Sequence, residues 1–188
     1  MSPYTLIPFE TSSFADLDPP PQITATVKRQ RSLLRISFEL TGAIAALALP
    51  QRHPLSQRRH HLWQHSCFEC FVRPQAADRY WEVNVSPTGD WNRYAFSSYR
   101  AGMTPCPAVT DLPVQIKRTT HHYHLSYAVD LTAIAPPTQP LDLAIATVLE
   151  TQTGLLSYWA LTHPSATADF HHPDSFLGHC PAYPADRA

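Results

Sequence analysis

The chain has 188 residues and a formal net charge of -1, enough for one domain with an ordinary core. Charged residues make up 15% and AVILMFWYC residues 44%, which excludes a disordered chain, a coiled coil and a basic nucleic-acid binder. The 19 prolines against 5 glycines argue against long helices, and no G-x-G-x-x-G or Walker pattern is present for a nucleotide.

In chain order, Met1 to Pro8 has no basic region, apolar run or cleavage site, so it does not read as a secretory signal. The longest apolar run, Ala43 to Leu49, is too short to span a bilayer. Strands are predicted over 22–29 and 32–41, where Leu34, Ile36, Phe38 and Leu40 alternate with Arg35, Ser37 and Glu39. A helical turn is predicted within 55–65. Further strands follow over 66–73, 79–87, 91–97, 113–119, 122–130, 141–150 and 155–162. Breaks such as 74–78 and 151–154 suit hairpin turns. From about 163 the periodicity stops, and an ordered loop is expected to wrap the domain before the last residues fray. About nine short strands without a long helix predict an all-β fold, a single antiparallel β-sandwich of jelly-roll-like form across 1–188.

The densest chemistry lies on the hairpin of 66–73 and 79–87. Alternation puts Cys67, Glu69 and Phe71 on one face, and Phe68, Cys70 and Val72 on the other. On the partner strand Tyr80, Glu82, Asn84 and Ser86 share a face opposite Trp81, Val83 and Val85. Matching the apolar sides places Glu69 beside Glu82 or Asn84. Two carboxylates, an amide and aromatic rings on one face suit a sugar, whose hydroxyls need hydrogen-bond partners and whose C–H face stacks on a ring. The competing reading is an ordinary strand face with the acids paired to Arg79, Arg93 or Arg100.

Other constellations carry less. Cys67 and Cys70 point to opposite faces of a strand, which disfavours zinc or redox use. The four cysteines, Cys67, Cys70, Cys106 and Cys180, form no disulfide framework and read as reduced thiols in a cytoplasmic protein. The 11 histidines cluster at 53–65, 121–124 and 163–179 without a metal-ligand spacing, so no metal is expected. No G-x-S-x-G elbow marks a nucleophile, and although Glu69 and Glu82 are the two carboxylates a glycosidase needs, nothing in the pattern shows a cleft between them; the reading favours a binding protein, with a sugar-modifying enzyme as a further alternative.

Trp63-x-x-x-Cys67-Phe68-Glu69, with Tyr80-x-Glu82-x-Asn84-x-Ser86-Pro87-x-Gly89-Asp90-Trp91, resembles the DOMON-like sandwiches related to family 9 carbohydrate-binding modules. Ser157-Tyr158-Trp159-Ala160 and Asp169-Phe170-His171-x-Pro173-x-x-Phe176-Leu177-Gly178 are similar to that group's closing strand and loop. The resemblance spans roughly 60 to 180. It implies a sandwich that binds a sugar or haem on a sheet face, with sugar clamped by tryptophans and with structural calcium in some members. Trp63, Trp91 and Trp159 are the tryptophans available for such a clamp, since Trp81 points to the core. The expected ligand-binding residues are therefore Trp63, Glu69, Tyr80, Glu82, Asn84, Trp91 and Trp159, with a sugar or small molecule as ligand and no nucleic-acid or membrane partner. Calcium lacks a dense Asp cluster. Haem is the alternative cofactor, held without covalent attachment by Met103 and a histidine such as His65.

Overall fold

A computed structural model describes residues 3–9, 14 and 17–184. The expected frayed end falls mostly at 185–188, outside the described residues. Twelve strands are named in chain order: β1 Tyr4–Pro8, β2 Gln22–Gln30, β3 Leu33–Thr41, β4 Cys67–Pro74, β5 Tyr80–Val85, β6 Trp91–Phe96, β7 Thr104–Pro105, β8 Val114–Arg118, β9 His122–Asp130, β10 Leu141–Glu150, β11 Leu156–Ala160 and β12 Gly178–Cys180. All nine predicted strands are present, and the predicted turn is a single 3-10 turn, Leu62–Gln64. Every strand pair is antiparallel.

Two layers form the sandwich. One runs β1-β2-β3-β9-β8 and the other β7-β6-β5-β4-β10-β11-β1. β1 belongs to both: Tyr4–Leu6 pairs with β2, while Ile7 and Pro8 pair with β11. β12 lies along Leu141–Leu143 at the start of β10, on the side away from β4. Gly178 is needed there, because a Cβ would stand 3.0 Å from both the Leu143 Cβ and its carbonyl oxygen. β5 and β6 are joined by a tight turn closed by the Gly89 N–H on the Ser86 carbonyl, with Gly89 at φ +87°.

The period-two pattern sends one face of each layer inward. Leu34, Ile36, Phe38 and Leu40 of β3 meet Phe68, Cys70 and Val72 of β4 and Trp81, Val83 and Val85 of β5 in one buried cluster. Phe68 stands at the centre, 5.3 Å from the Phe38 ring edge-on and stacked at 5.6 Å on Tyr123. Non-directional apolar burial of this kind supplies most of the stabilisation of a sandwich.

The second layer is unusual in burying its outer face as well. Every residue of β5 and β6, and Cys67–Val72 of β4, is buried. Phe71, Tyr80, Tyr94, Phe96, Ala144, Ala146, Ala160 and Phe176 form a second apolar cluster there, with Trp63 and Phe170 packed against it. The cover comes from the segment around Leu62–Gln64 on one side and the post-β11 loop on the other. The wrapping loop anticipated from the sequence is thus ordered through 184.

Candidate functional site

On the outer face of the second layer, register brings the acids together. Glu69 pairs with Asn84, Phe71 with Glu82, and Glu82 in turn with Tyr94 of β6. Both carboxylates are buried, Glu69 at 2% and Glu82 at 4% exposure. Asn84 bridges the strand: its Nδ2 donates to Glu82 Oε1 at 2.6 Å. Glu69 Oε1 and Asn84 Oδ1 are buried without a hydrogen-bond partner. Neither acid is paired with an arginine. Arg79 stacks on Trp81, Arg93 lies on the core side and donates to the Asp130 carbonyl, and Arg100 donates to Asp169.

A cavity of about 300 Å³ opens over these acids, lined by Glu69, Glu82, Phe96, Val148, Tyr158, Trp63, Arg100, Met103 and residues 168, 170 and 171. Trp63 reaches it from the 3-10 turn, with its ring edge-on to Tyr94 at 5.7 Å. The loop wall is built on Asp169. Its carboxylate accepts from the Tyr99 hydroxyl at 2.5 Å, from Arg100 Nη2 at 2.7 Å and from the His171 backbone N–H at 3.1 Å. Burial works against the Asp169 charge, but those bonds hold its carboxyl below the ordinary value.

The Tyr80 hydroxyl accepts from the Arg100 backbone N–H and lies 2.8 Å from His171 Nδ1. His171 Nε2 faces Glu82 Oε2 at 3.8 Å. Burial, with the Arg100 charge adding to it, lowers the His171 pKa to about 4, so the ring is neutral near pH 7. Burial also raises Glu82 to about 7, opposed by the Asn84 bond and by Arg100. Glu69 is pushed well above the ordinary carboxyl range by burial and then by the Glu82 charge. The site thus offers two carboxyl groups, one neutral imidazole and aromatic walls.

Of the residues expected from sequence, Glu69, Glu82 and Trp63 line the cavity. Asn84 and Tyr80 stand directly behind it, holding Glu82 and His171. Trp91 and Trp159 do not reach it. Trp91, expected as an exposed aromatic, is 2% exposed in the core, because it pairs across the turn with Val85, a core residue. Trp159 pairs with Thr147 and is 5% exposed in the same core. The sheet face carries a half-open recess, walled by the 3-10 turn and the post-β11 loop. Phe96, Arg100 and Tyr158 were missed. Alternation was the available signal for two of them: Phe96 shares a face with Tyr94, and Tyr158 opposes Trp159. Among the described residues no three His, Cys, Asp or Glu side chains converge on a metal position. The buried Asp90 is spent on Arg59 and His53 and Asp169 on Arg100, so the donor set does not fit calcium.

The two-layered path and register decide the comparison with solved structures. This fold is similar to that of family 9 carbohydrate-binding modules. One such module from Caldicellulosiruptor kristjanssonii, in complex with glucose, matches at a TM-score of 0.56 with 11% identity over 89% of this chain and 80% of its own. The same module type in complex with cellotriose matches at 0.58 with 11% identity over 100% and 85%. A proposed carbohydrate-binding protein from Bacteroides uniformis matches at 0.65 with 14% identity over 93% and 84%. No known sequence family and no curated protein matches the chain.

Proposed function

We propose that this protein is a non-catalytic carbohydrate-binding module of the DOMON-like group whose ligand enters the Glu69–Glu82 cavity. The observation that carries the reading is a buried carboxylate oxygen on Glu69 without a partner, beside Glu82, under aromatic walls. A buried acceptor left unmade costs about 1–3 kcal/mol, and a ligand hydroxyl is the group that fills it. Trp63 and Phe170 supply apolar faces for ring carbons. The likeness to modules complexed with glucose and cellotriose supports the same class of ligand. The four free thiols, at Cys67, Cys70, Cys106 and Cys180, support a reducing, cytoplasmic setting. No helix among the described residues is long and apolar enough to cross a membrane.

Haem is the competing ligand of that group, and the chemistry of the cavity disfavours it. Met103 and His171 both line the recess, but both ring nitrogens of His171 face protein groups, Nδ1 the Tyr80 hydroxyl at 2.8 Å and Nε2 the Glu82 Oε2 at 3.8 Å. His65 is paired with Glu150 at 2.8 Å and does not line the recess.

Calorimetry against a panel of mono- and disaccharides tests the reading. One weak site in the micromolar-to-millimolar range is expected. Glu82→Gln and Trp63→Ala should each weaken it while the far-UV spectrum is unchanged. No heat and no chemical-shift change from the whole panel at millimolar concentration would overturn it. A Soret shift on adding haemin would replace it.

A further inference from the structure

We infer that the cavity selects a sugar carrying a basic amine, with the ammonium seated against Glu69 and Glu82. The inference rests on the carbohydrate reading above and specifies the substituent. The charge inventory of the recess drives it. Two carboxyl groups enter the cavity wall, and no cation is committed to either. The Arg100 guanidinium in the wall is held by Asp169 through two bonds to Oδ1, at 3.2 and 2.7 Å, and acts on Glu82 only through space. His171 is uncharged near pH 7 and is held by Tyr80. The other titratable groups near the acids are Cys67 of β4, Tyr80 of β5, Tyr94 of β6 and Tyr127 of β9, all of which are neutral near pH 7.

The walls reinforce the preference. Trp63, Phe96, Tyr158 and Phe170 surround the recess, and ring faces attract cations through their quadrupole. An unpartnered oxygen on a buried acid takes a donor, and a charged donor bonds it more strongly than a neutral one. A neutral hexose brings only hydroxyl donors, which leave the pair protonated. Burial makes the pair hold protons near neutral pH, so an arriving ammonium favours the ionised form and displaces a proton.

Calorimetry with glucose, glucosamine and N-acetylglucosamine at pH 7, each repeated in two buffers of different ionisation enthalpy, reads both parts. Glucosamine should bind about tenfold or more tightly than glucose, a difference of about 1.4 kcal/mol. N-acetylglucosamine, which loses the charge and adds an acetyl group, should lose that gain. Glucosamine binding should release a proton, and glucose binding should not. In the Glu69→Gln/Glu82→Gln double variant the two sugars should bind equally. Glucose binding as well as glucosamine, or no proton release, overturns the amine preference and leaves the carbohydrate reading intact. No binding of any of the three, nor of the wider panel, overturns both.

Discussion

Glu82 holds a proton that the unfolded chain gives up. Its carboxyl lies at about 7 in the folded protein against an ordinary value of 4.5, because burial disfavours the charge. The folded state therefore binds more protons than the unfolded state between those two values. Stability from this group is full below about pH 4.5 and is lost as pH rises through about 7. Glu82→Gln should flatten that part of the stability–pH curve and raise the melting temperature at pH 8 relative to the native chain. An unchanged slope, measured by thermal melts from pH 4.5 to 8, would refute it. Trp81 is the opposite kind of residue, 5% exposed, in the main core and covered by Arg79. Trp81→Ala should cost about 3–5 kcal/mol in chemical denaturation, and a loss below about 1 kcal/mol would mean the strand faces are reversed. The facing of Glu69, Glu82, Phe68 and Trp81 was legible in sequence because strict alternation runs through both strands. Trp91 was not, because β6 places large aromatics on both faces: Trp91 inward, Tyr94 and Phe96 outward.

Among the elements, the post-β11 loop decides whether the sheet face is a patch or a pocket. Asp169 gathers Tyr99, Arg100 and the His171 backbone, and its carbonyl accepts from the Ser175 hydroxyl. Asp169→Ala should leave amide exchange in β4, β5 and β10 unchanged and raise it across 168–177. Ligand binding should fall with it. Equal protection in the loop of the variant would show that packing of Phe170 and Phe176 alone holds it. No periodicity marks such a loop, so its chemistry was visible as a run of His and Asp but its role was not. β1, β7 and β12 escaped sequence reading for a related reason. β7 and β12 have only 2 and 3 residues, too few for alternation to register, and β1 turns a single residue, Leu6, into the core.

For the whole molecule, apolar burial on both sides of one layer removes the need for an ion to staple the sandwich. A chelator should leave the melting temperature unchanged, and a large drop, with stoichiometric metal by elemental analysis, would refute this. The overall architecture was the most legible property of all, since nine period-two segments separated by Pro-rich breaks admit few alternatives.

The pairing order also governs how the chain can assemble as it leaves the ribosome. β2 and β3 close a local hairpin over Gln22–Thr41, and β4, β5 and β6 close a meander over Phe68–Phe96. The free edge of β4, however, waits for β10 at Leu141–Val148, and Ile7 and Pro8 of β1 wait for Trp159 and Ala160. Until the last third of the chain has been synthesised, the nascent meander carries an open strand edge bearing Phe68, Cys70 and Val72. Such an edge is a template for pairing with a neighbouring chain. Translation that halts before residue 141 thus leaves that edge unpaired, and β10 is the strand that closes it.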